Sequence, residues 1–125
     1  MSYSLTAPST ISITNTAAAG TGVTLTITAP AAGLFQYLTW LEISHFRAAV
    51  LTAGTVPILV TSTNLNGNPT FDFPADAGLQ GAIVVKQISP AAPIKAQTAA
   101  TSVTIVCPAT TAVIWRVSAL WYVGP

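Results

Sequence analysis

The chain has 125 residues, of which 51% are hydrophobic and 6% charged, with a net charge of +1; an average soluble domain is about 25% charged. The length fits one domain that buries about two thirds of its unfolded surface. Four scattered Lys and Arg residues form no basic stripe for nucleic acid. Plentiful β-branched and aromatic residues exclude disorder, and no run of about eighteen apolar residues is present to cross a membrane as a helix.

Residues 1–8, ending at Pro8, read as an N-terminal arm, and 9–125 as a single β-sandwich domain. The opening Met1-Ser2-Tyr3-Ser4 has neither a basic nor an apolar leader, which sets aside a secreted membrane barrel, so no membrane partner is expected. Ile11 and Ile13 alternate with Thr10, Ser12 and Thr14, and Val23, Leu25 and Ile27 with Thr24, Thr26 and Thr28. Period two marks half-buried strands, and threonine keeps an outer face wet without charge. From Phe35 to Phe46 both faces are partly apolar, with Tyr37, Leu41 and Ile43 expected on one side and Leu38, Trp40 and Phe46 on the other. Such a strand is central in a covered sheet or pressed against a partner.

Further strands are expected over 56–61, with Pro57 at an edge or first position, over 82–88 and over 102–107, and a short one over 70–73. The last run, 112–123, places Val113, Trp115, Val117, Ala119, Trp121 and Val123 on one side, and Ile114, Arg116, Ser118, Leu120 and Tyr122 on the other. Turn residues at 17–22, 30–33, 64–78 and 90–93 separate these runs, and none has a helical period. About eight short strands at regular spacing predict an all-β, antiparallel β-sandwich of jelly-roll type.

Catalytic chemistry has little to stand on. A nucleophilic cysteine needs a base, and Cys107 with His45 is the one such pairing in the sequence. Cys107 is in phase with Val103 and Ile105 and is expected in the core, while His45 reads as a structural or interface residue. Asp72 and Asp76, with Asn64, Asn66 and Asn68, could offer oxygens to calcium, but their spacing matches no loop motif and fits Asx turns. No zinc spacing or phosphate loop is present. The expectation is therefore no enzyme and no cofactor.

Aromatic side chains and arginine are enriched where protein surfaces meet. Trp115 and Trp121 share a face with valines and read as core, whereas Trp40, Phe46, Arg47, Arg116, Leu120 and Tyr122 form the expected interface set. A chain this short of charge is built to be covered by copies of itself or by a larger assembly. The alternative reading of its aromatics is a carbohydrate- or receptor-binding module that stacks sugars. The Thr24, Thr26 and Thr28 row is similar to flat ice-binding faces, over a short stretch only.

The segment Pro57-Ile58-Leu59-Val60-Thr61-Ser62-Thr63-Asn64-Leu65, followed by Pro69-Thr70-Phe71-Asp72-Phe73-Pro74-Ala75-Asp76, resembles small virion proteins of tailed bacteriophages. So does the ending from Val106-Cys107-Pro108 to Ile114-Trp115-Arg116. The likeness is one of wording and composition and carries no site residue. It implies a structural β-sandwich of the capsid cement or decoration type, located on the virion, assembling as a homotrimer and clamping the major capsid protein or another virion protein.

Overall fold

The computed structural model describes residues 11–51, 53–75 and 78–125. The expected arm at 1–8 lies outside these, as does Asp76. The described residues form nine strands and no helix: β1 (Ile11–Thr16), β2 (Val23–Ile27), β3 (Phe35–Arg47), β4 (Ile58–Thr63), β5 (Phe71–Phe73), β6 (Ile83–Ile88), β7 (Ile94–Lys95), β8 (Val103–Cys107) and β9 (Val113–Gly124).

Two antiparallel sheets face each other. One has the order β1-β9-β3-β6, with the two-residue β7 pairing the start of β3; the other has the order β2-β8-β4-β5. The pairings nest. β4 meets β5 across the 64–70 connection, β3 meets β6, β2 meets β8 and β1 meets β9. The chain is thus one long antiparallel ribbon folded at its middle and rolled up, and the rolling adds the contacts β3 with β9 and β4 with β8. This is the jelly-roll arrangement expected from the strand spacing.

Turn chemistry sets the folding points. In the 65–68 turn the Asn68 amide donates to the Leu65 carbonyl at 2.8 Å, and the third position, Gly67, has φ +84°. A side chain there would strain the left-handed backbone. Asn64 holds the same connection in place. Its carboxamide donates to the Thr98 and Thr101 carbonyls at 3.2 and 3.1 Å, and its Oδ1 accepts from the Thr98 amide at 2.8 Å.

The core lies between the sheets and follows the alternation. Val23, Leu25 and Ile27 face Val113, Trp115 and Val117 across it, all nearly fully buried, with Leu41, Ile43, Val60, Phe73, Val103 and Ile105. Trp115 anchors the centre, and its indole N–H donates to the Pro108 carbonyl at 2.9 Å, so the buried ring leaves no polar atom unpaired. His45 belongs to this core and not to a surface: its ring sits edge-on to Trp115 at 5.1 Å and near Phe73 at 5.8 Å.

Three expectations need correction. The strand read from 56–61 runs from Ile58 to Thr63. Pro57 has no N–H for the ladder and stays outside it; β4 is an interior strand, between β8 and β5. The two-residue β7, just after the Pro90 to Pro93 break, was too short to show a period. Within β3 the phase changes. Leu38 pairs Trp121 and Trp40 pairs Leu120, so Thr39 is an extra residue, a β-bulge. Its hydroxyl donates to the Leu120 carbonyl at 3.0 Å. The bulge puts Leu38 in the core with Leu41 and Ile43, and turns Tyr37 outward with Trp40. Strict alternation places Tyr37 with Leu41 and Ile43, and Leu38 with Trp40; the inserted residue reverses both.

Candidate interaction face

The outer face of the β1-β9-β3-β6 sheet gathers five of the six residues expected at an interface: Trp40 and Phe46 from β3, and Arg116, Leu120 and Tyr122 from β9. Directly opposite residues of an antiparallel pair share a face, so the register gives the surface as rows across the strands. At one end Tyr122, Tyr37 and Lys95 lie side by side. The two tyrosine rings stack at 4.9 Å and 5°. The Lys95 ammonium lies 4.1 Å from the Phe35 ring centre and 5.7 Å from that of Tyr37, in reach of the negative ring faces. The next row is Ser12, Leu120 and Trp40.

Two polar rows follow. Thr14, Ser118, Glu42 and Gln87 form the first, tied by a 2.9 Å hydroxyl bond between Thr14 and Ser118 and by donation from Gln87 Nε2 to Glu42 Oε2 at 3.4 Å. Thr16, Arg116, Ser44 and Val85 form the second. The far end is aliphatic and aromatic again: Ile114, Phe46 and Ile83. Ile83 and Val85 are 58% and 50% exposed on strand β6, the edge of the sheet. An edge strand rich in exposed β-branched residues is a surface that other strands can pair with.

Arg47 does not join this face. It follows the inward phase of Ile43 and His45, and only 6% of it is exposed. Its guanidinium lies against Gly78, where an added Cβ would fall 1.6 Å from Nη1. The small residue at 78 makes room for this buried cation inside the domain, so Arg47 supports the fold. Ile83 and Val85 lie on the same face, and the sequence does not mark them as part of it: the period of 82–88 shows a strand, but only its register against β3 shows which side is outward.

The opposite outer face, on the β2-β8-β4-β5 sheet, is of another kind. Thr26, Thr104 and Thr63 form one row and Thr24, Val106 and Thr61 the next, followed by Leu59 beside Asp72. The Thr63 and Thr104 hydroxyls bond to each other at 2.6 Å. Asp72 is exposed on its edge strand, and among the described residues no group of His, Cys, Asp and Glu side chains could hold a metal ion. Cys107 is buried beneath this sheet, and burial pushes its thiol up to about 12, so it carries no thiolate at neutral pH.

No family model matches the chain, and no curated protein or solved structure matches it either.

Proposed function

We propose that the protein is a structural component of a virion, of the capsid cement or decoration type. In this reading it associates with itself, as a homotrimer, and binds the shell through the outer face of the β1-β9-β3-β6 sheet. One observation carries the reading: five of the six side chains singled out as interface-like in the sequence lie on one face with Tyr37, Ile83 and Val85, and that face has Glu42, Arg116 and Lys95 as its charged groups. The resemblance to small virion proteins of tailed bacteriophages points the same way. The jelly roll adds little, because this architecture serves lectins and enzymes as well as shells.

The physical basis is removal of apolar area from water, about 25 cal/mol per Å², less the cost of association. A specific contact takes about 800 Å² from each partner, a modest share of the 6850 Å² surface of this chain. Because few charges take part, binding should change little with ionic strength. The test is light scattering of the purified protein, together with co-sedimentation with capsids lacking it, at low and moderate salt. A mass of three chains and salt-tolerant sedimentation are expected. A monomer at high concentration, or binding lost at moderate salt, would sink the reading.

A further inference from the structure

Strand β6 leaves one edge of its sheet open, and the backbone register shows which of its groups point out of the molecule. The Arg47 N–H donates to the Ala82 carbonyl at 3.0 Å, next to the pair Phe46 and Ile83. Hydrogen-bonded and non-bonded pairs alternate along an antiparallel ladder, so β6 bonds β3 through Val84, Lys86 and Ile88. The other side of β3 agrees: the Ala48 N–H donates to the Ala112 carbonyl at 2.8 Å, which turns the backbone of Phe46, Ser44 and Glu42 to β9. The N–H and C=O groups of Ile83, Val85 and Gln87 therefore face outward along the edge, with their side chains on the outer sheet face. The other edges are short or tied. β5 and β7 have three and two residues, and β1 is fastened to β2 by Asn15, whose Nδ2 donates to the Thr24 carbonyl at 2.9 Å.

We infer that this edge pairs with β6 of a second copy of the chain, antiparallel, about a twofold axis through Val85. In this register the strand is self-complementary. Ile83 lies opposite the copy's Gln87, Val85 opposite Val85, and Gln87 opposite Ile83, so every outward N–H and C=O group gains a partner. An axis through Ile83 or Gln87 leaves some of these groups unpaired. Lys86, the one charged residue of the strand, lies opposite Val84 and meets no like charge. An inward lysine can keep edge strands apart. Here its ammonium is drawn to 5.9 Å from the ring centre of Phe73, on the opposite sheet of its own chain. The exposed apolar surface of Ile83 and Val85 is what pairing removes from water. The row Thr16, Arg116, Ser44 and Val85 then continues through the axis into the same row of the copy, so two outer faces become one. This contact runs along an edge and does not use the sheet face proposed to bind the shell.

Disulfide capture in the full chain tests it. Val85→Cys sets one thiol opposite its own copy, with Cα atoms about 5.5 Å apart, inside the range a disulfide spans. Ile83→Cys is the matched control: the site is as exposed, but it lies about 13 Å along the strand from its own copy. The native Cys107 is buried and does not compete. Oxidation with diamide at high protein concentration should give linked dimer from Val85→Cys at about tenfold the yield from Ile83→Cys, because pairing raises the effective concentration of facing thiols. A mixture of Ile83→Cys and Gln87→Cys chains should link above either variant alone. Equal yields from Val85→Cys and Ile83→Cys overturn the proposal, and so does a mixture that gains nothing over its components. The readout compares positions on one strand and does not depend on the mass of the wild type, so a failed trimer and a failed edge are told apart.

Discussion

The two outer faces of this sandwich are built on the same pleat and carry nearly opposite chemistry. The β2-β8-β4-β5 face shows water rows of threonine, whose hydroxyls bond to one another across strands, as between Thr63 and Thr104. The β1-β9-β3-β6 face shows Trp40, Tyr37, Tyr122 and Leu120 at one end, and Phe46, Ile114, Ile83 and Val85 at the other. Neither face relies on charge. A neutral protein can keep a face wet with hydroxyls alone, and the contrast is what the proposed interaction surface rests on.

The largest expected effect breaks the contrast from the aromatic side. Trp40→Asp removes an aromatic anchor and places a carboxylate in a contact meant to be dry. Association should weaken by about a hundredfold, or about 3 kcal/mol, while the thermal midpoint moves less, because Trp40 faces outward and is only partly buried. Light scattering over a concentration series, beside calorimetry of the same samples, separates the two. Tyr122→Asp should act in the same direction and also lose the Tyr37 stack, worth about 1 kcal/mol. If both variants associate normally, the aromatic face is not the interface.

The second test concerns what lies beneath the threonine sheet. The Cys107 thiol is raised by burial to about 12, above its ordinary 9.0. The folded state therefore favours the neutral thiol. The stability this contributes is fully present below about pH 9 and is lost as pH rises through about 12. Unfolding midpoints should fall through this window in the wild type and fall less steeply in Cys107→Ala. Equal slopes would show that other groups govern alkaline unfolding.

A smaller effect probes the link between the faces. Gln36 belongs to the aromatic sheet and is buried, and its Nε2 donates to the Thr28 and Thr101 carbonyls at 3.0 and 2.8 Å, at the ends of the threonine sheet's strands. Gln36→Met keeps the volume and loses these bonds, at a cost of about 1–2 kcal/mol. Chemical denaturation measures it. An unchanged midpoint would mean that packing alone joins the sheets at this end.

Much of this organisation is legible in the sequence, and the parts that are not share a cause. Period-two alternation exposes β2, β8 and β9 almost residue for residue, because one side of each packs on the core and the other on water. Thr39 defeats the same reasoning in β3. One inserted residue changes the phase, and nothing about a threonine among Leu38 and Trp40 announces it. Arg47 fails for a related reason, since an arginine at a strand end reads as surface until the phase set by Ile43 and His45 is followed to it. The sequence also invites a division into early threonine-rich and late aromatic strands. The structure divides by sheet instead: the polar Ser12, Thr14 and Thr16 of β1 border the aromatic face, because the ribbon rolls the first strand beside the last.

The smallest expected effect is the strictest check on the contrast. Thr26 and Thr61 lie exposed on the threonine face, on different strands and in different rows. A lysine at either site can reach water from a pleated surface, so Thr26→Lys and Thr61→Lys should each change stability by no more than about 0.5 kcal/mol. Neither should change the mass measured in solution, and capsid binding should stay at the wild-type level. A lysine on a face buried against a partner behaves otherwise, because its ammonium would have to give up water without a counter-charge. If Thr26→Lys weakens association as far as Trp40→Asp does, then the threonine face is also covered in the assembly. The shortage of charge would then belong to a protein enclosed on both sides.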